Sequence, residues 1–394
     1  MRLFDLPAEA RITELSFPTK IVLGQGALAR LPAQAQRLKM KHPLVVTDAG
    51  VVKAGIAQRI YDVLEKANIS YAVFDRVEPN PTEKDAVDGV AAYRHAGCDG
   101  VIALGGGSAL DAAKLVQLLV THAPPLSRYD DAKGGDQFVE DNLPPLIAIP
   151  TTAGTGSEVS RSGVATLKDT GRKTVVFSPF LMPKAAIVDP ELTLGLPPKM
   201  TAWTGMDAFT HCLEAYLSSG FNPFADALSI DGVARVARSL PVAFANGQDI
   251  GARLDMMIAA MEGAISFQKG LGAAHALAHA LTPISGTHHG LANAVVLPTV
   301  MEFNRASSVP RLARVAIAMG DTSGAREEIL AGNAIERVRA LNQKLGIPSR
   351  LTEVGVLEKD LERIADKAFE DASHHGNPTK TTREDLLTLL KAAL

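Results

Sequence analysis

Between residues 43 and 152 one pattern recurs: a short apolar run, a few small or polar residues, then a stretch with helical spacing. The runs are PLVVTD (43–48), SYAVFD (70–75), GVIALGGGS (100–108) and PLIAIPTT (145–152). Helical segments follow the first three, one ending near Ala67, one beginning near Thr82 and one reaching about Leu119. Strands separated by helices of this length form βαβ units, so the spacing predicts a parallel sheet. KAAIVDPEL (184–192) adds a strand that stops at Pro190, and VATLKDTGRKTVVF (164–177) reads as a hairpin about a glycine-containing turn. YDDAKGGDQ (129–137) reads as a loop. Beyond Pro198 the period becomes helical, as in LDMMIAAMEGAISF (254–267) and AREEILAGNAIERVRALNQKLG (325–346). The expected architecture is an α/β domain with a parallel sheet over residues 1–190 and an all-α domain over 191–394.

Composition narrows the partners. Of 394 residues, 40 are Lys or Arg and 43 are Asp or Glu, a net charge of −3 with no basic block. Nucleic acid is therefore not an expected partner, since phosphate binding needs concentrated positive charge. No apolar stretch approaches the ~18 residues of a membrane span, and the first residues have no signal-peptide core. Two cysteines, Cys98 and Cys212, make no disulfide framework and no Cys-x-x-Cys metal spacing. A cytoplasmic protein with a small-molecule partner is expected.

Two glycine-rich loops compete as phosphate cradles. GQGALA (24–29) follows the run KIVL and matches G-x-G-x-x-G/A, with Asp48 following Ala29 by 19 residues, where a ribose-binding acid is expected. GGGSALDAAK (105–114) follows the buried-type run VIAL, with Ser108 as a natural N-cap for the next helix. Each also has a plainer reading as a tight turn. IPTTAGTGSE (149–158) supplies a third small-residue loop after a strand, and two such loops on one sheet edge favour a nucleotide.

Histidines carry the second signal. In GMDAFTHCLEAY (205–216), Asp207 and His211 stand four residues apart on one helix face. In HALAHALTPISGTHHG (275–290), His275 and His279 have the same spacing, and Pro283 with Gly286 and Gly290 is expected to end that helix and open a loop carrying His288 and His289. An Asp–His pair alone is more often a surface hydrogen bond, and two histidines in an alanine-rich helix are more often core. Four histidines beside an Asp/His helix suit a first-row divalent metal such as Fe²⁺ or Zn²⁺. Spacing pairs His275 with His279. A nucleotide plus a metal permits hydrolysis by activated water or hydride transfer from a polarised alcohol to a nicotinamide.

GGGSALDAAK, IPTTAGTGSE, DPELTLGLPP, GMDAFTHCLEAY and GLGAAHALAHAL…HHGLANAVVLP appear in one order over essentially the whole chain. Together they resemble the iron-containing (group III) alcohol dehydrogenases. The resemblance implies a dehydroquinate synthase-like fold, an α/β dinucleotide-binding domain followed by a helical domain, usually in homo-oligomers. It implies a metal held by Asp207, His211, His275 and His289, with His279 a non-ligand catalytic histidine that relays a proton. His288 stands where many relatives have Pro. For the cofactor it implies NAD, with Gly105, Gly106, Gly107 and Ser108 at the pyrophosphate, Asp111, Thr151, Thr152, Ser157 and Lys173 lining the nucleotide, and Asp48 on the ribose. GQGALA becomes the first turn after the N-terminal strand.

FQKGLG and HHG are most similar to the 4-hydroxybutyrate dehydrogenase branch. Lys269 is then a candidate anchor for a substrate carboxylate, with Arg161 and His374 as further candidates and a solvated helix-end lysine as the plainer reading. The expected reaction interconverts a short primary alcohol and its aldehyde, such as 4-hydroxybutyrate and succinate semialdehyde. Alternatives are a sulfonate- or phosphonate-bearing aldehyde, a neutral aldehyde or diol, a metal-dependent sugar-phosphate cyclase or lyase on the same fold, and a non-enzymatic metal-binding role.

Overall fold

The structure, a computed structural model, describes residues 13, 15–167 and 173–394. They divide into two compact units: an α/β unit, Phe17–Leu196, and a helical unit, Pro197–Leu394. Ser16 belongs with the latter, its N–H donating to Gln268 Oε1 at 3.4 Å.

The α/β unit contains β1 (Lys20–Leu23), α1 (Leu31–Arg37), β2 (Pro43–Val46), α2 (Ala49–Lys53), α3 (Ile56–Lys66), β3 (Ala72–Phe74), α4 (Glu83–Ala96), β4 (Gly100–Gly105), α5 (Gly107–Thr121), β5 (Leu146–Pro150), β6 (Ser162–Thr166), β7 (Lys173–Phe177) and β8 (Ala185–Val188). Six strands form one parallel sheet in the order β1-β8-β5-β4-β2-β3. Side chains alternate between its faces. Leu44, Val46, Val101, Ala103, Leu146 and Ala148 enter a core with α4 and α5. Val45, Ile102, Leu104, Ile147, Ile149 and Ile187 enter a second core with α1 and α3. Burial on both faces explains why these strands read as continuous apolar runs. β6 and β7 pair antiparallel as the expected hairpin, whose turn lies outside the described residues. The stretch 129–137 is a chain of short 3₁₀ turns held to that hairpin, where Thr174 Oγ1 donates to Asp130 Oδ1 at 2.7 Å.

The helical unit contains α6 (Pro198–Leu217), α7 (Pro223–Ala245), α8 (Ile250–Ser266), α9 (Ala273–Ser285), α10 (His289–Asn304), α11 (Val309–Ala318), α12 (Glu327–Lys344), α13 (Leu361–Phe369) and α14 (Arg383–Ala393). Pro at the first helical position starts α6 and α7. Of the residues expected to end α9, Pro283 does not, since the helix runs past it to Ser285; Gly286 does, with a φ of 72° in the left-handed closing conformation. His288 lies in the short connection between α9 and α10, as expected, whereas His289 does not. His289 is the first residue of α10 and His288 is its N-cap, accepting at Nδ1 from the Gly290 N–H at 3.2 Å. Among the described residues no helix is long and apolar enough to cross a membrane.

The two glycine loops differ in what answers their N–H groups. In GQGALA, Gly24 and Gly26 adopt positive φ, and Asp189 accepts from Gly26 N (3.2 Å) and Leu28 N (3.0 Å). The chain's own buried carboxylate takes the place a phosphate would occupy. β1 is also separated by three strands from β2, which leads into Asp48, whereas the fingerprint reading needs the two as neighbours. Asp189→Ala leaves those donors and the Glu191 N–H unanswered. It is expected to destabilise the protein by about 1–3 kcal/mol, measured by urea unfolding.

Candidate active site

In the α/β unit the second glycine loop leaves β4 beside β2 and β5, so Asp48, Gly105–Ser108 and Thr151–Thr152 stand at the same strand-terminal edge. Gly105 has a φ of +145°, and a Cβ there would lie 2.7 Å from Ala109 Cβ and 3.2 Å from Asp48 Oδ2. A Cβ on Gly107 would lie 2.6 Å from Thr155 Cγ2. The glycines thus allow the two loops to approach each other, as the tight-turn reading has it, and bring Asp48 alongside. They also leave the start of α5 without a side-chain cap, so its first N–H groups are free for an anion.

Ser108 is not the N-cap. That position is Gly106, and Ser108 lies inside the first turn, its hydroxyl donating to Pro79 O. With glycines at both preceding positions the helix starts earlier than a serine cap would set it. Asp48 caps α2, accepting at Oδ1 from Gly50 N (2.8 Å) and Val51 N (3.0 Å).

Asp111 and Ser157 are joined directly, Ser157 Oγ donating to Asp111 Oδ1 at 2.6 Å. Sequence reasoning missed the third member of this cluster, Lys114, which is fully buried and donates to Ser157 Oγ (2.7 Å) and Ser162 O (2.8 Å). Its helical spacing from Asp111 was the available signal. Burial pushes the Lys114 ammonium down to about 8 and the Glu158 carboxyl up to about 7. Burial also raises Asp111, against Lys114, Ser157 and the nearby Lys173. Arg161, at the start of the hairpin, lies over the Phe177 ring at 4.8 Å, with its buried Nε making no hydrogen bond.

In the helical unit Asp207, His211 and Glu214 share one face of α6. Asp207, His275 and His289 offer ligand atoms that all lie within 4.8 Å of one another. Asp207 Oδ1 is 3.3 Å from His289 Nε2 and 3.8 Å from His275 Nε2. Donors sharing a first-row metal at ~2.0–2.2 Å stand about 3–3.5 Å apart; the Asp207–His289 distance meets this, and the Asp207–His275 distance is slightly wider, so a small closing movement brings the trio onto one ion. His211 stacks on His275 with ring centroids 4.4 Å apart, but its nitrogens lie outside that trio. His279 stacks on His289 at 5.0 Å and binds Asp371 through Nδ1. Burial pushes His211 and His275 down to about 4 and His289 to about 3. Burial thus favours the neutral form of all three imidazoles, the form that binds metal. Burial would raise Asp207, but His211, His289 and His275 hold it well below the usual carboxylate range.

Three further residues build this geometry. A Cβ on Gly290 would collide with the Trp203 carbonyl and lie 3.2 Å from Asp207 Cβ, so only glycine lets α10 approach α6 this closely. Asn293, one turn on from His289, donates to Asp207 Oδ1 at 3.0 Å. Glu214 accepts from Gly272 N (3.1 Å), Ala274 N (2.7 Å) and His275 N (3.3 Å), closing the start of α9. Its Oε2 lies 2.7 Å from His275 Nδ1. An oxygen already accepting backbone N–H groups accepts here too, so Nδ1 carries the proton and the unpartnered Nε2 turns its lone pair toward Asp207. Burial raises Glu214 to about 7 against those N–H groups. Sequence reasoning missed Glu214, although it stands seven residues from Asp207 in the same motif.

Lys269 and His374 are not available to a substrate. Lys269 Nζ is buried and uses its three donors on Ala215 O, Tyr216 O and Asp226 Oδ1 (2.9, 3.0 and 2.6 Å), binding the end of α6. His374 binds Thr381 Oγ1 at 2.8 Å and Phe369 O at 3.1 Å, using both nitrogens.

Residues 18–190 match the model of the iron-containing alcohol dehydrogenases, and 201–394 match that family's C-terminal model. The chain belongs to the iron-containing alcohol dehydrogenases. Within this oxidoreductase family, a 4-hydroxybutyrate dehydrogenase of Cupriavidus necator is 42% identical over 385 residues, 95% of this chain and 98% of the relative. An NAD-dependent methanol dehydrogenase of Bacillus methanolicus is 34% identical, covering 97% of this chain and 100% of its own. A solved 1,3-propanediol oxidoreductase superposes with a TM-score of 0.94 at 35% identity, covering 98% of this chain and 100% of its own.

Glu214→Gln offers one oxygen for donors that now meet two. It is expected to weaken Fe²⁺ or Zn²⁺ binding by about 10–100-fold, read by metal titration of protein whose melting is cooperative. In the α/β unit, the folded protein holds a proton on Glu158 between about pH 4.5 and 7 that the unfolded chain has released, so this contribution to stability falls as the pH rises through that window. Glu158→Gln is expected to flatten the fall in Tm across it.

Proposed function

We propose that this alcohol dehydrogenase transfers hydride between NAD(H) and a short primary alcohol and its aldehyde, and that its substrate is an ω-hydroxy acid such as 4-hydroxybutyrate, the product being succinate semialdehyde. The observation that carries the reading is the cluster of Asp207, His275 and His289, in a chain 42% identical to a 4-hydroxybutyrate dehydrogenase. Asp207, His211, His275 and His289 would hold a ferrous ion, or Zn²⁺ in its place. When bound, such an ion supplies positive charge that favours the deprotonated alcohol. His279 would take the hydroxyl proton, while the carbon-bound hydride passes to the nicotinamide, giving aldehyde and NADH.

NAD is assigned to the α/β unit, with the pyrophosphate at Gly105–Ser108 and the uncapped start of α5. Asp111, Thr151, Thr152, Ser157 and Lys173 would line the nucleotide, Asp111 and Ser157 as a hydrogen-bonded pair. Asp48 Oδ2, beside Gly105, is suited to accept from the ribose 2′-hydroxyl and to repel a 2′-phosphate, which favours NAD over NADP.

With the head groups of Lys269 and His374 committed elsewhere, Arg161 is the remaining candidate for the substrate's anionic end. Among the described residues its guanidinium has no carboxylate partner, its buried Nε makes no hydrogen bond, and burial lowers its pKa. A sulfonate- or phosphonate-bearing aldehyde would be held by the same chemistry.

NADH absorbance, followed on protein reconstituted separately with Fe²⁺ and Zn²⁺ over a panel of alcohols and aldehydes, tests the reading. Turnover of 4-hydroxybutyrate that a chelator abolishes is the expected result; no turnover of any alcohol or aldehyde overturns it. Arg161→Ala is expected to raise KM for 4-hydroxybutyrate about 10–100-fold while leaving KM for 1-butanol unchanged. An equal rise for both removes Arg161 from the substrate.

A further inference from the structure

We infer that Asp371 is a positioning residue for His279: it fixes which nitrogen of that imidazole carries the proton and so which one faces the reacting hydroxyl. The inference rests on the proposed role of His279 and adds the residue that acts through it. Asp371 lies 92 residues further along the chain, and its Oδ2 is 2.8 Å from His279 Nδ1. Its other oxygen, Oδ1, accepts from Ser373 N at 2.8 Å. An ionised carboxylate only accepts, so Nδ1 is the protonated nitrogen and Nε2 keeps the lone pair.

The carboxylate is held where it is by its own segment. Residues 372–376 form a short 3₁₀ turn with Asp371 at its start. Within it, His374 is fastened at both nitrogens, to Thr381 and to the Phe369 carbonyl. Just beyond it, Asn377 Oδ1 accepts from Ala273 N (3.2 Å) and Asn304 Nδ2 (2.9 Å), and its Nδ2 donates to Asn304 Oδ1 (2.7 Å) and Thr379 O (2.6 Å). The segment therefore grips α9 twice: at its first residue through Asn377, and at His279 through Asp371. This double attachment sets the carboxylate against the helix that carries the histidine. The His279 ring is meanwhile stacked on His289, nearly parallel at 12°. Stacking fixes the ring plane but does not choose between the two nitrogens. The carboxylate makes that choice.

Asp371→Asn tests the assignment, because an amide of the same shape has one acceptor for two donors. If its oxygen stays on Ser373 N, its NH₂ group meets Nδ1 and drives the proton to Nε2. On metal-free protein labelled with ¹⁵N-histidine, with the His279 signals assigned through His279→Ala, the wild type should show Nδ1 protonated and Asp371→Asn a shift toward Nε2. On metal-loaded protein, kcat for the alcohol should fall about 10–100-fold in Asp371→Asn and Asp371→Ala, with KM for NAD and bound metal unchanged. The double variant Asp371→Ala/His279→Ala should be no slower than His279→Ala alone. An unchanged tautomer in Asp371→Asn, or losses that simply multiply in the double variant, overturns the inference. A wild type that turns over no alcohol while the tautomer switches overturns the proposed function instead and leaves the positioning role standing.

Discussion

The Glu214 carboxylate is the contact on which the helical unit's chemistry depends. It projects from the helix that also carries Asp207 and His211, and receives the first backbone N–H groups of α9. It also receives the Nδ1–H of His275. One side chain therefore closes a helix end, sets the distance between two helices and selects the tautomer of a ligand. A helix N-terminus favours negative charge, which offsets part of the cost of burying it. The fourfold use of one carboxylate leaves little freedom: moving α9 along its axis would break the helix closure and misdirect His275 together.

The same economy appears at the glycine loops. GQGALA and GGGS both present backbone N–H groups at a turn, and the difference lies in what stands opposite. Asp189 answers the first from inside the fold, while the helix after the second begins with no side-chain cap. A phosphate cradle is a loop whose donors have been left without an internal acceptor. Sequence alone does not display that property, because the acceptor comes from residue 189, far along the chain.

Where the chain's own periodicity carried the information, the sequence was legible. The parallel sheet followed from apolar runs buried on both faces, and the hairpin and helical unit from their periods. Three of the four ligands that the family motifs imply, Asp207, His275 and His289, come together, with the His211 nitrogens outside that group, whereas spacing alone pairs His275 with His279. Long-range partners were the hidden part. Lys269 reads as a mobile cation until Asp226 and the end of α6 are seen around its ammonium. Lys114 sits in an ordinary helical pattern, and only burial beside Asp111 and Ser157 distinguishes it. Ser108 looks like a cap because serine usually is one, but the cap is Gly106, two residues before it, and Ser108 is already the second residue of the helix.

Gly290 sets the separation of α6 and α10 chiefly by a contact with backbone, since the nearest obstacle to any larger residue is the Trp203 carbonyl. A spacing fixed by main chain against main chain does not follow the volume of the residues around it. The distance from Asp207 to His289 is in this sense gauged mechanically, with the two helices resting against a stop. Drift in the surrounding apolar core can then loosen or tighten the unit as a whole while the ligand geometry stays where the stop puts it.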